Sequence, residues 1–240
     1  LYNKSMKKLL LAILTTLPLL CLSAEKSRVL ENYSWPKPNA NTTAFHLIWL
    51  GEGNSQPALY AQVGEYYARV HFAPKQQLGE KYAVAKNKKI SLFYRKLEDG
   101  KEYFEKAATF NAPSNSLVLG IIPEKEKLET KVADISFENI PIGSSAIINL
   151  SPYRIGATYK NKPHFLNSFE IWKADFPMRG KYKMGLISIF DTRKKPKLMI
   201  QRMLGGTESE RAILYVFSTN IPESESIPLD TSQILPVVEN

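Results

Sequence analysis

Cysteine is almost missing from this sequence, and its scarcity excludes several kinds of site. The only cysteine among the 240 residues is Cys21, at the end of an apolar N-terminal stretch. If that stretch is removed as a leader, the mature chain has no cysteine. Disulfide bonds, a catalytic thiolate and a cysteine metal site are then excluded.

Motifs of common enzyme classes are also missing. His46, His71 and His164 lie on separate predicted strands or turns, without the spacing of metal-binding pairs. GEGNSQ (51–56) and LGGTES (204–209) lack the Lys-Ser/Thr of a phosphate loop, and no G-x-S-x-G occurs. We predict a non-catalytic protein without a cofactor or metal. A glycan or peptide hydrolase remains an alternative, because paired carboxylates can be distant in sequence.

The N-terminus has the pattern of a secretory signal peptide. Met6-Lys7-Lys8 is followed by the apolar run LLLAILTTLPLL (9–20) and by CLSA (21–24). That run is shorter than the ~20 apolar residues of a spanning helix. We expect a signal peptide over 1–24, with 1–5 as a spurious extension. The mature protein would be periplasmic or extracellular, without a transmembrane span. A lipid anchor on Cys21 is the alternative.

The formal net charge of +9 indicates a basic protein. In an exported protein, this charge favours anionic envelope polymers or membrane surfaces over nucleic acid. The basic runs 86–89 and 193–197 fall at predicted turns. They are either solvated turns that prevent edge pairing or contacts for anionic polymers, and the second interpretation requires that both runs share one face of the fold.

Short apolar and aromatic runs between turn signals dominate beyond residue 43, and no helical periodicity persists. Each half of the chain opens on an apolar strand and ends on a buried aliphatic one, at 45–50 and 116–123 and again at 145–151 and 211–218. We therefore predict an all-β fold of two consecutive small antiparallel β-sandwich (Ig-like) units, or else one extended sandwich.

Composition predicts the boundaries of these units. The segment after the leader is rich in polar residues and proline, residues 124–131 (EKEKLETK) alternate in charge, and the C-terminus holds several prolines and acids. The predicted segments are an N-terminal tether (25–44), a first β unit (45–123), a charged linker (124–132), a second β unit (133–220) and an extended or disordered C-terminal tail (221–240).

Aromatic residues are the main signal for binding. The alternation in EYYARVHF (65–72) places Tyr67, Arg69 and His71 on one face of a strand. Together with Trp172, an exposed Tyr67 would suit stacking on a glycan, although most aromatic residues in such a chain form the core. The leading hypothesis is an envelope or cell-surface interaction or structural module, whose partner is an envelope protein or polysaccharide. A carbohydrate-binding or adhesin-like module is the alternative.

One group of residues resembles a known signature. It comprises Asp134-x-Ser136, Ile140-Pro141-x-Gly143 and Asn149-Leu150-Ser151. This spacing resembles that of exported, uncharacterised all-β proteins of Verrucomicrobia-type bacteria, over roughly residues 45–218. The resemblance implies an exported all-β protein and brings no catalytic residue. From the residues themselves, we expect a turn at 141–143 and a strand end closed by Asn149 and Ser151 through local hydrogen bonds.

Overall fold

The computed structural model describes residues 27–51, 56–73, 78–124, 127–193, 195–218 and 229–232. Within these ranges the protein is built from strands and contains no helix, which confirms the all-β prediction. Consequently these ranges also contain no helix with the length and apolarity needed to cross a membrane. The predicted signal peptide, including Cys21, lies outside the described residues.

The strands fall into two groups along the chain. The first group is β1 (Val29–Leu30), β2 (Thr42–Trp49), β3 (Leu59–Val63), β4 (Tyr66–Val70), β5 (Tyr82–Ala85), β6 (Lys89–Glu98), β7 (Lys101–Asn111), β8 (Ser116–Glu124) and β9 (Lys127–Asp134). The second group is β10 (Ser145–Asn149), β11 (Ile155–Tyr159), β12 (Lys162–Leu166), β13 (Ile171–Ala174), β14 (Met178–Arg179), β15 (Tyr182–Asp191), β16 (Lys197–Thr207), β17 (Ala212–Ser218) and β18 (Leu229–Ser232).

These strands form four sheets, which we name A to D. Sheet A has the order β1-β4-β3-β6-β7, and sheet B has the order β5-β2-β8-β9. Sheet C has the order β13-β10-β17-β18. In sheet D, β12 pairs with β11, and β11 pairs with β15. The same edge of β15 pairs further along with the short strand β14, and its other edge pairs with β16.

Three separate hydrophobic layers stack the sheets in the order A, B, C, D. Residues of sheets A and B, such as Leu59 and Leu119, form one layer. Ile147 and Ile189 belong to a layer between sheets C and D. A third layer, which includes Val118 and Ile148, joins sheets B and C. The protein is therefore two β-sandwiches packed face to face, with sheets A and D outermost.

The third layer explains why several strands are apolar on both faces. In β17, Leu214 points into the layer between sheets C and D, whereas its neighbour Tyr215 points into the layer between B and C. Strands β2, β8 and β10 alternate in the same way. A strand covered on both sides reads as a continuous apolar run, so the apolar runs of the sequence mark the two central sheets.

Three of the segments predicted to lie outside the β units contain strands within the described residues. The charged linker (124–132) is largely strand β9, which pairs with β8 as the edge of sheet B. The N-terminal tether (25–44) carries β1, which pairs with β4, and Trp35, whose ring packs edge-on against Tyr82 at 5.1 Å. In the C-terminal tail (221–240), β18 pairs with β17. Edge strands with alternating charge resemble linkers because only one of their faces is buried.

The segment between the two sandwiches is held by a buried arginine. Arg211 is 7% exposed, and its Nη1 donates hydrogen bonds to the carbonyl oxygens of Ile135 and Ile140, at 2.8 and 3.2 Å. Its guanidinium lies 4.1 Å from the ring centre of Phe137. Burial lowers the pKa of Arg211. Arg211 thus fixes residues 135–140 to the start of β17.

The motif behind the family resemblance is a structural corner. Asp134 Oδ1 accepts a hydrogen bond from the Ser136 backbone N–H at 2.9 Å, as in an Asx-turn. Gly143 has φ +76°, the left-handed conformation that glycine tolerates, and its N–H donates to the Glu210 carbonyl at 2.9 Å. The expected turn at 141–143 is present, and the corner leads from sheet B into sheet C.

Candidate functional site

The predicted aromatic platform on β4 is covered by other side chains. Tyr67 is only 7% exposed, because its ring stacks on Phe104 at 3.7 Å and meets the edge of Phe93 at 5.1 Å. The Arg28 guanidinium lies 5.1 Å from the other side of the Tyr67 ring. The expectation that Tyr67 is exposed for stacking is therefore wrong, although the face assigned to it is the outer face of sheet A.

Of the other three candidate residues, Arg69 and His71 lie near Tyr67, whereas Trp172 lies in a different sheet. Arg69 is exposed on the same face of β4, and His71 is exposed just beyond the strand. Trp172 belongs to β13 in sheet C, where its ring stacks on His164 at 3.9 Å. Since sheet B separates sheets A and C, the structure does not bring Trp172 together with Tyr67, Arg69 and His71. Their ligand-binding role stays a prediction.

His46 is half-buried in strand β2 of sheet B. Its Nδ1 lies 2.9 Å from the Gly79 carbonyl oxygen, and burial lowers its pKa from the ordinary 6.5. Among the described residues, no group of three His, Cys, Asp or Glu side chains is placed to hold a metal ion.

This lowered pKa predicts a pH effect on stability. Below about pH 6.5 the unfolded chain binds a proton at His46 that the folded chain resists, so the free energy of unfolding should fall there. Above that pH the folded and unfolded states are both neutral at His46. Urea titrations from pH 5 to 8 should show this extra loss in the wild type and in His71→Gln. His46→Gln should lack it, and an equal loss in His46→Gln would contradict the prediction.

A cleft opens where two neighbouring strands of sheet A separate. Strand β3 pairs with β6 only at Tyr60↔Phe93 and Ala61↔Leu92. Beyond Ala61, β3 continues to pair with β4, and β6 continues to pair with β7. We name the resulting opening the β3–β6 cleft; its volume is about 450 Å³. The lining residues used below are Gln62, Gly64, Lys89, Ser91, Phe93 and Lys106.

The lining of this cleft is basic and polar. Lys89 and Lys106 are exposed, and within the described ranges neither takes part in an ion pair. None of the lining residues is acidic. Ser91 Oγ lies 3.3 Å from Thr109 Oγ1, and Phe93 joins the aromatic cluster of Tyr67. The cleft therefore offers positive charge, one aromatic edge and two strand edges.

The strand edges matter because backbone groups are strong hydrogen-bonding groups. Along the cleft, Gln62 and Val63 of β3 face residues 89–91 of β6 without ladder pairs between them. A strand edge of this kind can pair with an added extended chain. The β3–β6 cleft thus combines two lysines with backbone groups that can pair with an extended chain.

The two basic runs do not share a face. Residues 86–89 lead into β6 of sheet A, and two of them line the β3–β6 cleft. Residues 193 and 195–197 lead from β15 into β16 of sheet D, on the opposite side of the stack. The requirement set by the sequence interpretation is therefore not met, and only the first run belongs to the site. A comparison with known proteins finds no family model that matches the chain and no curated protein that is similar to it.

Proposed function

We propose that this protein is an exported, non-catalytic interaction module of the cell envelope, and that the β3–β6 cleft holds its partner. The observation that carries the proposal is a pair of lysines without ion pairs beside two separated strand edges. The four stacked sheets supply a rigid frame for this cleft. A carbohydrate platform at Tyr67 loses support, because that ring is covered.

The charge of the cleft selects an anionic partner. Two ammonium groups in a cleft that no acidic residue lines attract anions, and their field is strongest in a concave site. Lys89 lies four residues before Phe93, whose cross-strand partner is Lys106. At roughly 3.3 Å per residue, the two lysines lie about 13 Å apart along the strand direction. Acidic groups with similar separation would contact both.

The strand edges select an extended peptide as the partner. A peptide strand can donate and accept backbone hydrogen bonds along β3 or β6, as in β-augmentation. Its acidic side chains, placed four residues apart on one face, would reach Lys89 and Lys106. An acidic polysaccharide would use the lysines but not the strand edges. We therefore propose an acidic, extended segment of an envelope protein.

Reversing the charge of the cleft should weaken this binding. The probe is a fluorescent ten-residue peptide of alternating Thr and Glu, measured by anisotropy against the full chain. Lys89→Glu/Lys106→Glu should raise the Kd of the peptide for the β3–β6 cleft by about tenfold or more, since ~1.4 kcal/mol is tenfold and two attractive pairs become repulsive. Binding should also weaken with salt.

Matched reagents separate this effect from general electrostatics. Lys101→Glu/Lys127→Glu makes the same charge change at exposed positions outside the cleft and should leave the Kd within about twofold. A peptide of alternating Thr and Lys should not bind. Equal loss in both double variants, or binding of polygalacturonate but not of the acidic peptide, would refute the proposed peptide site.

A further inference from the structure

The two sandwiches repeat one topology strand by strand. In each, a central parallel pair is flanked by two antiparallel strands, as β5-β2-β8-β9 in sheet B and β13-β10-β17-β18 in sheet C. The outer sheets correspond in the same way, with β4-β3-β6-β7 in sheet A matching β12-β11-β15-β16 in sheet D. This agreement aligns the two halves of the chain without reference to side chains.

A β-bulge that occurs in both halves sets the alignment residue by residue. The β6–β7 hairpin has a bulge between Leu92 and Phe93, and the β15–β16 hairpin has one between Ile189 and Phe190. Both hairpins pair there with an alanine, as Ala61↔Leu92 and Ala157↔Ile189. The aligned residues are also similar, since ISLF (90–93) corresponds to ISIF (187–190).

A second cleft occupies the position in sheet D that is equivalent to the β3–β6 cleft. Strand β11 pairs with β15 only as far as Thr158↔Ser188, and β14 resumes the pairing at Lys183. The gap between them, which we name the β11–β15 cleft, has a volume of about 320 Å³. Four lining positions are equivalent in the two clefts, namely Gln62 and Thr158, Gly64 and Lys160, Lys89 and Leu186, and Ser91 and Ser188.

The chemistry of the second cleft is related to that of the first. Its cations are Lys160, at the tip of the β11–β12 hairpin, and Arg179, and none of its lining residues is acidic. Ser188 Oγ accepts a hydrogen bond from Gln201 Nε2 at 3.1 Å, at the place of the Ser91–Thr109 contact. Leu186 and Met203 are 48% and 44% exposed along this cleft. Apolar residues beside the acids of a ligand would therefore add affinity here.

We propose that the β11–β15 cleft is a second site for acidic extended peptide, and that the protein bridges two such segments. This inference rests on the proposed function for its class of ligand. Sheets A and D are the outermost layers, and three sheet spacings of about 10 Å place their clefts roughly 30 Å apart on opposite sides. A short segment cannot reach both clefts, so each cleft takes its own.

The number of bound peptides tests the second site. Calorimetry with the ten-residue Thr/Glu peptide should give two peptides per full chain in the wild type and in Lys101→Glu/Lys127→Glu. Lys160→Glu/Arg179→Glu should give one, as should Lys89→Glu/Lys106→Glu, and the combination of all four should give none. Thermal unfolding of each variant verifies that it is folded.

A capture assay tests the bridging. Beads that carry the peptide should retain a fluorescent peptide only after addition of wild-type protein, with at least tenfold loss in either double cleft variant. If the wild type binds one peptide and Lys89→Glu/Lys106→Glu abolishes that binding, the second site is overturned while the proposed function stands. If the wild type binds one peptide and only Lys160→Glu/Arg179→Glu abolishes that binding, both the β3–β6 site and the two-site inference are overturned. Two bound peptides without capture would overturn the bridging.

Discussion

Replacing Gly120 by alanine should destabilise the protein by about 3 kcal/mol, the upper range for overpacking a core. Gly120 lies in β8, on the face that sheet B turns towards sheet C. A Cβ at this position would lie 2.6 Å from Cε2 of the Phe169 ring and closer still to its Cζ. The ring fills the space that the missing side chain leaves.

Moving the Phe169 ring away from Gly120 would cost further stability. Phe169 is 6% exposed, and its backbone has φ +66°, an unusual value for a bulky residue. Its N–H donates a hydrogen bond to the Asn149 carbonyl oxygen at 2.7 Å, which holds this conformation. Displacement of Phe169 away from Gly120 would therefore strain its hydrogen bond to β10 and disturb the layer between sheets B and C.

A double-mutant cycle measures this contact by urea unfolding. Phe169→Ala alone should cost about 3–5 kcal/mol, and adding Gly120→Ala to it should cost little more, because the overlap is gone. Gly206→Ala is the matched control, since the atoms nearest to its added Cβ, the Cβ and Oε2 of Glu210, lie at 3.3 Å and do not overlap it as the Phe169 ring would overlap a Cβ at position 120. If the losses in the free energy of unfolding from Gly120→Ala and Phe169→Ala simply add in the double variant, the added Cβ does not act through the Phe169 ring.

The sequence predicted the class of fold because burial leaves a direct pattern in it. Runs such as 45–50 and 211–218 carry apolar residues on both faces of the strand, and these strands are covered on both faces in the structure. The stacking of two sandwiches could not be predicted from them, because a strand covered by a third layer and one covered by a helix have the same pattern. Edge strand β9 resembles a linker in sequence, because only one of its faces is buried and its charges alternate.

The candidate site was less predictable, because it is defined by pairing and not by composition. Tyr67 was assigned to the correct face of β4, yet its exposure depends on Phe104, a residue of another strand. The β3–β6 cleft exists because two strands stop pairing at Ala61, and no residue type marks that point. Lys89 was recognised as part of a basic run, whereas Lys106 gave no separate signal.

Replacing Asn149 by aspartate should destabilise the protein by roughly 3–5 kcal/mol at neutral pH, the cost of leaving a buried charge without a partner. Asn149 has 0% exposure. Its Nδ2 donates to the carbonyl oxygens of Tyr153 at 2.6 Å and of Leu166 and Asn167, each at 3.1 Å. Its Oδ1 accepts from the Ser151 N–H at 3.0 Å and from Ser151 Oγ at 2.6 Å. The local bonds were expected from the sequence, whereas those to 166–167 join two distant segments.

The pH dependence of this loss identifies its cause. In Asn149→Asp, an oxygen replaces Nδ2 and faces three carbonyl oxygens, so burial and repulsion raise the pKa of the new carboxyl above its unfolded value of about 3.9. The unfolded carboxyl releases its proton first as the pH rises, so the loss relative to wild type should be small near pH 4 and should grow towards pH 7. Urea unfolding across this range measures it.

Two further variants complete the test. Asn149→Ala removes the same hydrogen bonds without adding a charge, so its loss should be independent of pH, and its binding at the clefts should match wild type at saturation. Asn41→Asp introduces the same charge at an exposed position and should change stability by less than about 0.5 kcal/mol. A pH-independent loss in Asn149→Asp would mean that solvent reaches this corner, and that Asn149 does not act as the buried junction between β10, the turn at 151–153 and residues 166–167.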